Sequence, residues 1–225
     1  MNTLAAMVGT PSLPPCCTVE VATPVGPART HTQRPYGRPP TATLVLGHGA
    51  GGGVAAPDLL AASEAALTAG LRVVRVEQPW RVAGRRIAVA PPRLDAAWLA
   101  VVAGLEEPGP LVLGGRSAGA RVACRTASQL GAVAVLALAF PLRTARADRL
   151  GELQAPTVPR LVVQGARDGF GVPACEPGVQ VHVVAGADHG FAVRRQDGRT
   201  PAQVHEEVRA TVQDWLTRTL RQTLT

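Results

Sequence analysis

Lysine is absent from this 225-residue chain: its 23 basic residues are all arginines, set against 16 acidic residues for a net charge of +7. That surplus invites a nucleic-acid reading, but the features such a partner needs are missing. The arginines are scattered, and aromatic residues make up 3% of the chain. Too few rings interleave with the basic residues to form stacking platforms. No nucleic-acid partner is expected, and the arginine bias, with abundant Ala, Gly, Pro and Val, matches GC-rich coding. Long apolar runs are also missing. The longest, Ala132–Phe140, falls well short of the roughly 20 residues of a membrane helix and suits a buried strand. No membrane partner is expected.

Cysteine is sparse and badly placed for metal or disulfide chemistry. Cys16 and Cys17 are adjacent, Cys124 and Cys175 stand alone, and no metal-ligand spacing links them. We expect no metal and a reducing, cytoplasmic setting. Residues Met1–Cys17 lack a basic n-region and carry three prolines, so they read as a disordered tail rather than a signal peptide. The glycine-rich stretch Gly47–Gly53 lacks both the Lys-Ser/Thr ending of a phosphate loop and the dinucleotide spacing, so no cofactor is expected.

What is present is an alternation of short apolar runs and helical stretches. Hydrophobic residues form 46% of the chain, enough for one globular domain over residues 18–225. Thr18–Ala22 and Ala28–Thr32 flank a Pro- and Gly-containing turn and read as an antiparallel hairpin. Strands are expected at Thr41–Leu46, Leu71–Val76, Leu111–Gly114, Ala132–Phe140, Arg160–Gln164 and Val179–Val184. Helices are expected at Asp58–Ala69, Leu94–Leu105, Ala120–Ala127 and Pro201–Leu220. Glu77–Pro92 and Pro141–Pro159 read as loops, the second too short for a lid domain. Such alternation gives a mostly parallel sheet covered by helices on both faces, with an antiparallel N-terminal edge.

The most informative stretch is Gly115-Arg116-Ser117-Ala118-Gly119, with a strand before it and a helix after it. In that context G-x-S-x-G forms a nucleophile elbow: a turn so tight that only glycine fits two residues either side of the serine. Functional groups in an open parallel sheet gather at the carboxyl ends of strands. Three more strand ends carry suitable chemistry: Asp168 after Arg160–Gln164, His189 after Val179–Val184, and the His48-Gly49-Ala50-Gly51 loop after Thr41–Leu46. Ser, Asp, His is the order of an α/β-hydrolase triad. His189 would take the serine proton, Asp168 would fix the imidazole tautomer, and the backbone N–H groups of Ala118 and of Gly49 or Ala50 would meet the oxyanion. His48 precedes the nucleophile and opens a lipase-like H-G-x-G loop, so it is assigned to structure. Asp188 adjoins His189 too closely to align with it and reads as a solvated or capping residue. Asp148 and Asp197 have no strand end before them.

These residues resemble the α/β-hydrolase superfamily over nearly the whole chain from Thr18. LGHGAGGG, RVEQPWRVAGRR, GGRSAGARVACR, AFPL, VVQGARDGFG and GADHGF more narrowly resemble a dienelactone-hydrolase-like subgroup. That subgroup is related to a subunit of the non-specific-lethal histone acetyltransferase complex and to testis-expressed homologues; its bacterial members are mostly predicted hydrolases, and the resemblance implies that this chain is a bacterial member of actinobacterial type. The resemblance implies an α/β-hydrolase fold, the triad Ser117, Asp168 and His189, and oxyanion surroundings at Gly49, Ala50 and Ala118. Dienelactone hydrolase itself uses cysteine, so lactone specificity does not transfer to a chain with serine.

The expected activity is hydrolysis of a small-molecule acyl substrate; the alternative is a non-catalytic scaffold or complex subunit on the same fold. Trp80, Phe140, Phe170 and Phe191 fall where they would line the site, with core packing as the competing role. Arg81, Arg85, Arg86 and Arg116 either bind a substrate anion or, as we favour, pair with Asp58, Asp95 or Glu77. The sequence leaves the acyl and alcohol groups and the oligomeric state open.

Overall fold

A computed structural model describes residues 14–106 and 109–223. Of the tail expected over residues 1–17, residues 1–13 lie outside the described residues. Cys17 already pairs with Thr32, so the first strand reaches one residue into that stretch.

In chain order the elements are β1 (Cys17–Val21), β2 (Ala28–Gln33), β3 (Thr43–Gly47), α1 (Pro57–Thr68), β4 (Arg72–Glu77), α2 (Pro79–Val82), α3 (Pro91–Ala103), β5 (Leu111–Arg116), α4 (Ala118–Thr126), β6 (Ala134–Leu138), β7 (Arg143–Thr144), β8 (Ala147–Asp148), α5 (Leu150–Gln154), β9 (Arg160–Gly165), β10 (Val179–Val184) and α6 (Pro201–Thr223). The main sheet has eight strands in the order β1-β2-β4-β3-β5-β6-β9-β10. β1 and β2 are antiparallel, β2 joins β4 antiparallel, and every pair from β4 to β10 is parallel. Two stretches read as loops contain short elements instead. α2 lies within Glu77–Pro92, where Pro79 pre-sets a helical first position. The β7–β8 ribbon and α5 lie within Pro141–Pro159 and add no lid.

The parallel strands are apolar on both faces because both faces are covered. Leu44, Leu46, Leu136 and Leu138 face one core with Leu59 and Ala62 of α1 and Val208, Val212 and Leu216 of α6. Their sequence neighbours Val45, Val135 and Ala137 face the other, with Trp98 of α3, Val122 of α4 and Leu153 of α5. This alternation of sides follows from the two-residue repeat of a strand. It leaves the carboxyl ends of β3, β5, β9 and β10 opening toward one edge, each followed by a connecting loop.

The turn from β5 to α4 is the tightest of these. A Cβ at Gly115 would lie 2.5 Å from the Gly47 carbonyl oxygen and 2.7 Å from the Gly119 carbonyl carbon, and one at Gly119 would overlap the Gly47 carbonyl. Both glycines are therefore demanded by β3 as well as by the turn itself. Ser117 between them holds φ 51 and ψ −109, a sparsely populated conformation that costs a non-glycine residue roughly 1–3 kcal/mol. Strain is thus present where the sequence motif places it.

Candidate active site

Ser117 sits at the amino end of α4, with its own N–H donated to the Leu138 carbonyl of β6 at 3.0 Å. Ala118 is the first helical residue, so its N–H has no intrahelical acceptor. The serine Oγ lies 3.1 Å from His189 Nε2, and His189 Nδ1 lies 2.8 Å from Asp168 Oδ2. A carboxylate can only accept, so Nδ1 carries the proton and Nε2 is left to accept from the serine hydroxyl. The Asp168 side chain is fully buried, whereas that of His189 is 26% exposed. The imidazole is thus partly accessible to solvent and the carboxylate that anchors it is not. Phe170 packs edge-on against the imidazole, with ring centroids 4.6 Å apart.

Each member is held by its own loop. Asp188, next to the histidine, accepts the N–H groups of Gly190 and Ala192 at Oδ1, at 2.8 and 3.0 Å. Of the solvated and capping roles expected of it, this is the second. Phe191 anchors the same turn by burying its ring in the core at φ 58. Asp168 accepts the Phe170 N–H at Oδ1 and the Gln164 amide at Oδ2, at 2.9 and 2.7 Å. Gln164 was not singled out in the sequence. It is fully buried at the end of β9 and exchanges hydrogen bonds with the Phe140 backbone in both directions. Its only signal was a glutamine interrupting the apolar run LVVQG, since a buried amide needs polar partners.

The His48 loop lies on the same side of the sheet as Ser117. A Cβ on Gly49 would stand 3.4 Å from the Ser117 Cβ, so the Gly49–Ala50 backbone borders the serine. His48 is spent on holding this loop. Its Nδ1–H donates to the Gly49 carbonyl at 2.9 Å, and its Nε2 accepts the Gln78 N–H at 3.1 Å. Burial, opposed by the Gly49 carbonyl and by Glu77, holds its pKa below the usual 6.5. Protonation would break the bond from Gln78. Because the unfolded chain takes up the proton more readily, His48 stabilises the fold above about pH 6.5 and loses that contribution as pH falls through its lowered folded value. Thermal melts between about pH 7 and 5 should show a shallower decline in His48→Asn than in the parent.

Arg116 is not available to a substrate. Its Nε lies 2.8 Å from Asp58 Oδ2 at the start of α1, and its Nη2 donates to the His189 carbonyl at 3.0 Å. Its Nη1 would be 3.2 Å from a Cβ on Gly49. One guanidinium therefore joins the serine strand, the histidine loop and the Gly49 loop. Burial pushes the Asp58 carboxyl above its usual range, and the Arg116 charge offsets this. Arg116→Met should cost about 3–5 kcal/mol in urea unfolding, because Asp58 is left buried without its cation. Adding Asp58→Leu to that variant should recover most of the loss.

The remaining expectations divide. Trp80 lines a small cavity together with Ala118, and Phe170 touches His189. Phe140 and Phe191 do not line the site; both are core residues, on opposite faces of the sheet. The pairing favoured for the arginines holds for Arg116 alone. Asp95 is taken by Arg125 at 2.6 Å and Glu77 by His31 at 3.6 Å. Arg81, Arg85 and Arg86 are exposed and, among the described residues, have no carboxylate partner. Arg85 lines an open cleft of about 210 Å³ with Arg93, Trp80 and Val25. Cys124 lies behind the elbow, with burial pushing its thiol up to about 12, so it is inert at neutral pH.

The model for the alpha/beta hydrolase domain family matches residues 40–217, and the chain belongs to that family. Solved structures share the fold at low identity. An alpha-beta serine hydrolase homologue from Coxiella burnetii is 20% identical, with a TM-score of 0.68 over 87% of this chain and 96% of its own. A lidless serine hydrolase from Xanthomonas campestris is also 20% identical, with a TM-score of 0.66 over 92% and 96%. A dienelactone hydrolase from Anabaena variabilis is 15% identical, with a TM-score of 0.66 over 94% and 99%. The sequence comparison with curated proteins finds no match. Among the described residues no helix is long and apolar enough to cross a membrane.

Proposed function

We propose that the protein is a serine hydrolase acting on a small ester, thioester or related acyl substrate through an acyl-enzyme. The observation that carries this reading is the hydrogen-bonded chain from Ser117 Oγ to His189 Nε2 at 3.1 Å and from His189 Nδ1 to Asp168 at 2.8 Å. Ser117 Oγ attacks the carbonyl carbon as its proton passes to His189 Nε2. Asp168 keeps the imidazole in the Nδ1–H tautomer and stabilises the imidazolium. The tetrahedral oxyanion meets the Ala118 N–H and the backbone of the Gly49–Ala50 loop. His189 then returns the proton to the leaving alcohol or thiol, and a water deprotonated by the same ring releases the acid. Each oxyanion donor is expected to supply about 3 kcal/mol. The four cysteines are all free, in keeping with a reducing compartment, and we place the enzyme in the cytoplasm.

The test is turnover of p-nitrophenyl acetate and butyrate. His189→Ala should abolish this activity while His48→Ala lowers it only through the loop it holds. The opposite pattern would make His48 the base. No turnover of any ester would favour the scaffold on the same fold.

A further inference from the structure

Beside the candidate site lies a small, partly open cavity of about 10 Å³, room for one group of water's size, lined by His48, Gln78, Trp80, Leu94, Trp98 and Ala118 among others. Two of the lining residues carry buried polar atoms that have no hydrogen-bond partner among the described residues: Gln78 Oε1 and Trp98 Nε1. Gln78 is 4% exposed and Trp98 is fully buried. The Gln78 amide is not free to reverse, because its Nε2–H donates to the Leu94 carbonyl at 3.3 Å; turning it over would set two oxygens against each other. Buried donors and acceptors are almost always satisfied, so this pair needs a partner.

The missing partner must satisfy both atoms. A carbonyl accepts from the indole but offers nothing to Gln78, and an alkyl group satisfies neither. A hydroxyl does both at the available size. The side of the site also matters. A leaving alcohol takes its proton from His189 and so departs past that ring. No residue of the 187–191 turn lines this cavity, whereas Ala118, whose N–H is the proposed oxyanion donor, does. The cavity therefore lies on the acyl side.

We propose that it seats a hydroxyl carried on a short acyl group, so that the preferred substrates are hydroxyacyl esters. Trp98 Nε1–H donates to the hydroxyl oxygen, and the hydroxyl donates to Gln78 Oε1. This rests on the assignment of Ser117 as nucleophile, but its test has a part that needs no turnover. The protein holds three tryptophans, so in Ser117→Ala protein labelled with ¹⁵N the Trp98 indole N–H resonance is assigned by its loss in Trp98→Phe. Methyl glycolate, methyl lactate and methyl 3-hydroxybutyrate are then titrated against methyl acetate, propionate and butyrate. At least one hydroxyester should shift that resonance where its parent does not.

In the unsubstituted protein the same hydroxyester should exceed its parent by roughly 10- to 100-fold in kcat/KM, less than the roughly ten-thousand-fold or more of a dry hydroxyl-reading site because water can satisfy the cavity when the parent ester binds. Trp98→Phe and Gln78→Met should each bring that ratio toward one. An unmoved Trp98 resonance, or turnover of hydroxyesters no faster than of their parents, would overturn the proposal and leave the cavity to a structural water. Absence of turnover with a clear resonance shift would instead count against the nucleophile and for the binding site.

Discussion

Ser117→Ala is expected to lower kcat for p-nitrophenyl butyrate by roughly ten-thousand-fold or more, with KM changed little. The substitution removes the attacking atom and leaves the ester's binding contacts. A residual rate above the uncatalysed one should remain, since the Ala118 N–H and the Gly49 loop are untouched. Stability is a separate matter, and the structure separates it. Ser117 holds a positive φ of 51 that alanine tolerates no better and little worse, and among the described residues its hydroxyl hydrogen-bonds to His189 Nε2 alone. Melting temperature should therefore stay within a few degrees of the parent, so that lost turnover reports lost chemistry. A variant retaining even a tenth of the parent kcat would remove Ser117 from the reaction.

Asp168→Asn is the second large effect, again about ten-thousand-fold in kcat at neutral pH. The reason lies in what Asp168 already accepts. Phe170 N–H reaches Oδ1, while the Gln164 amide and His189 Nδ1 both reach Oδ2. An asparagine has one oxygen for these donors. If that oxygen keeps the Phe170 N–H, its NH₂ faces His189 and drives the ring to the tautomer with the proton on Nε2. That tautomer donates to Ser117 and cannot take its proton. If the amide turns the other way, its NH₂ opposes the Phe170 N–H and the loop after β9 must shift. Steady-state kinetics give the size of the loss, and ¹⁵N chemical shifts of the His189 ring distinguish the two outcomes. A kcat within tenfold of the parent would show that the carboxylate does not set the tautomer.

Much of this was legible in the sequence because it is written in local chemistry. The buried parallel strands appear as short apolar runs such as Ala134–Leu138, and the elbow appears as glycines at 115 and 119. Strand ends bearing Ser117, Asp168 and His189 in that order place three groups on one edge of the sheet. What the sequence did not reveal depends on contacts between distant segments. Gln164 is one polar residue in an apolar strand until the Asp168 loop folds over it. Arg116 had two plausible partners, a substrate anion or a carboxylate, and only the approach of α1 and the histidine loop selects Asp58. Phe140 and Phe191 stand at a strand end and beside His189, where chain position suggests exposure to a ligand, yet both rings turn into the core. α2, α5 and the β7–β8 ribbon are too short to leave a periodic signature. The Gln78 Oε1 and Trp98 Nε1 atoms, without partners among the described residues, could not be anticipated, since an orphaned polar atom is a property of packing alone.

The central claim is that Ser117 is a nucleophile activated by His189. The most direct test is reaction of the native protein with a fluorophosphonate, followed by mass-spectrometric mapping of the adduct. Stoichiometric modification is expected at Ser117, abolished by prior unfolding and strongly slowed in His189→Ala. An unmodified protein, or an adduct on any other residue, would contradict it.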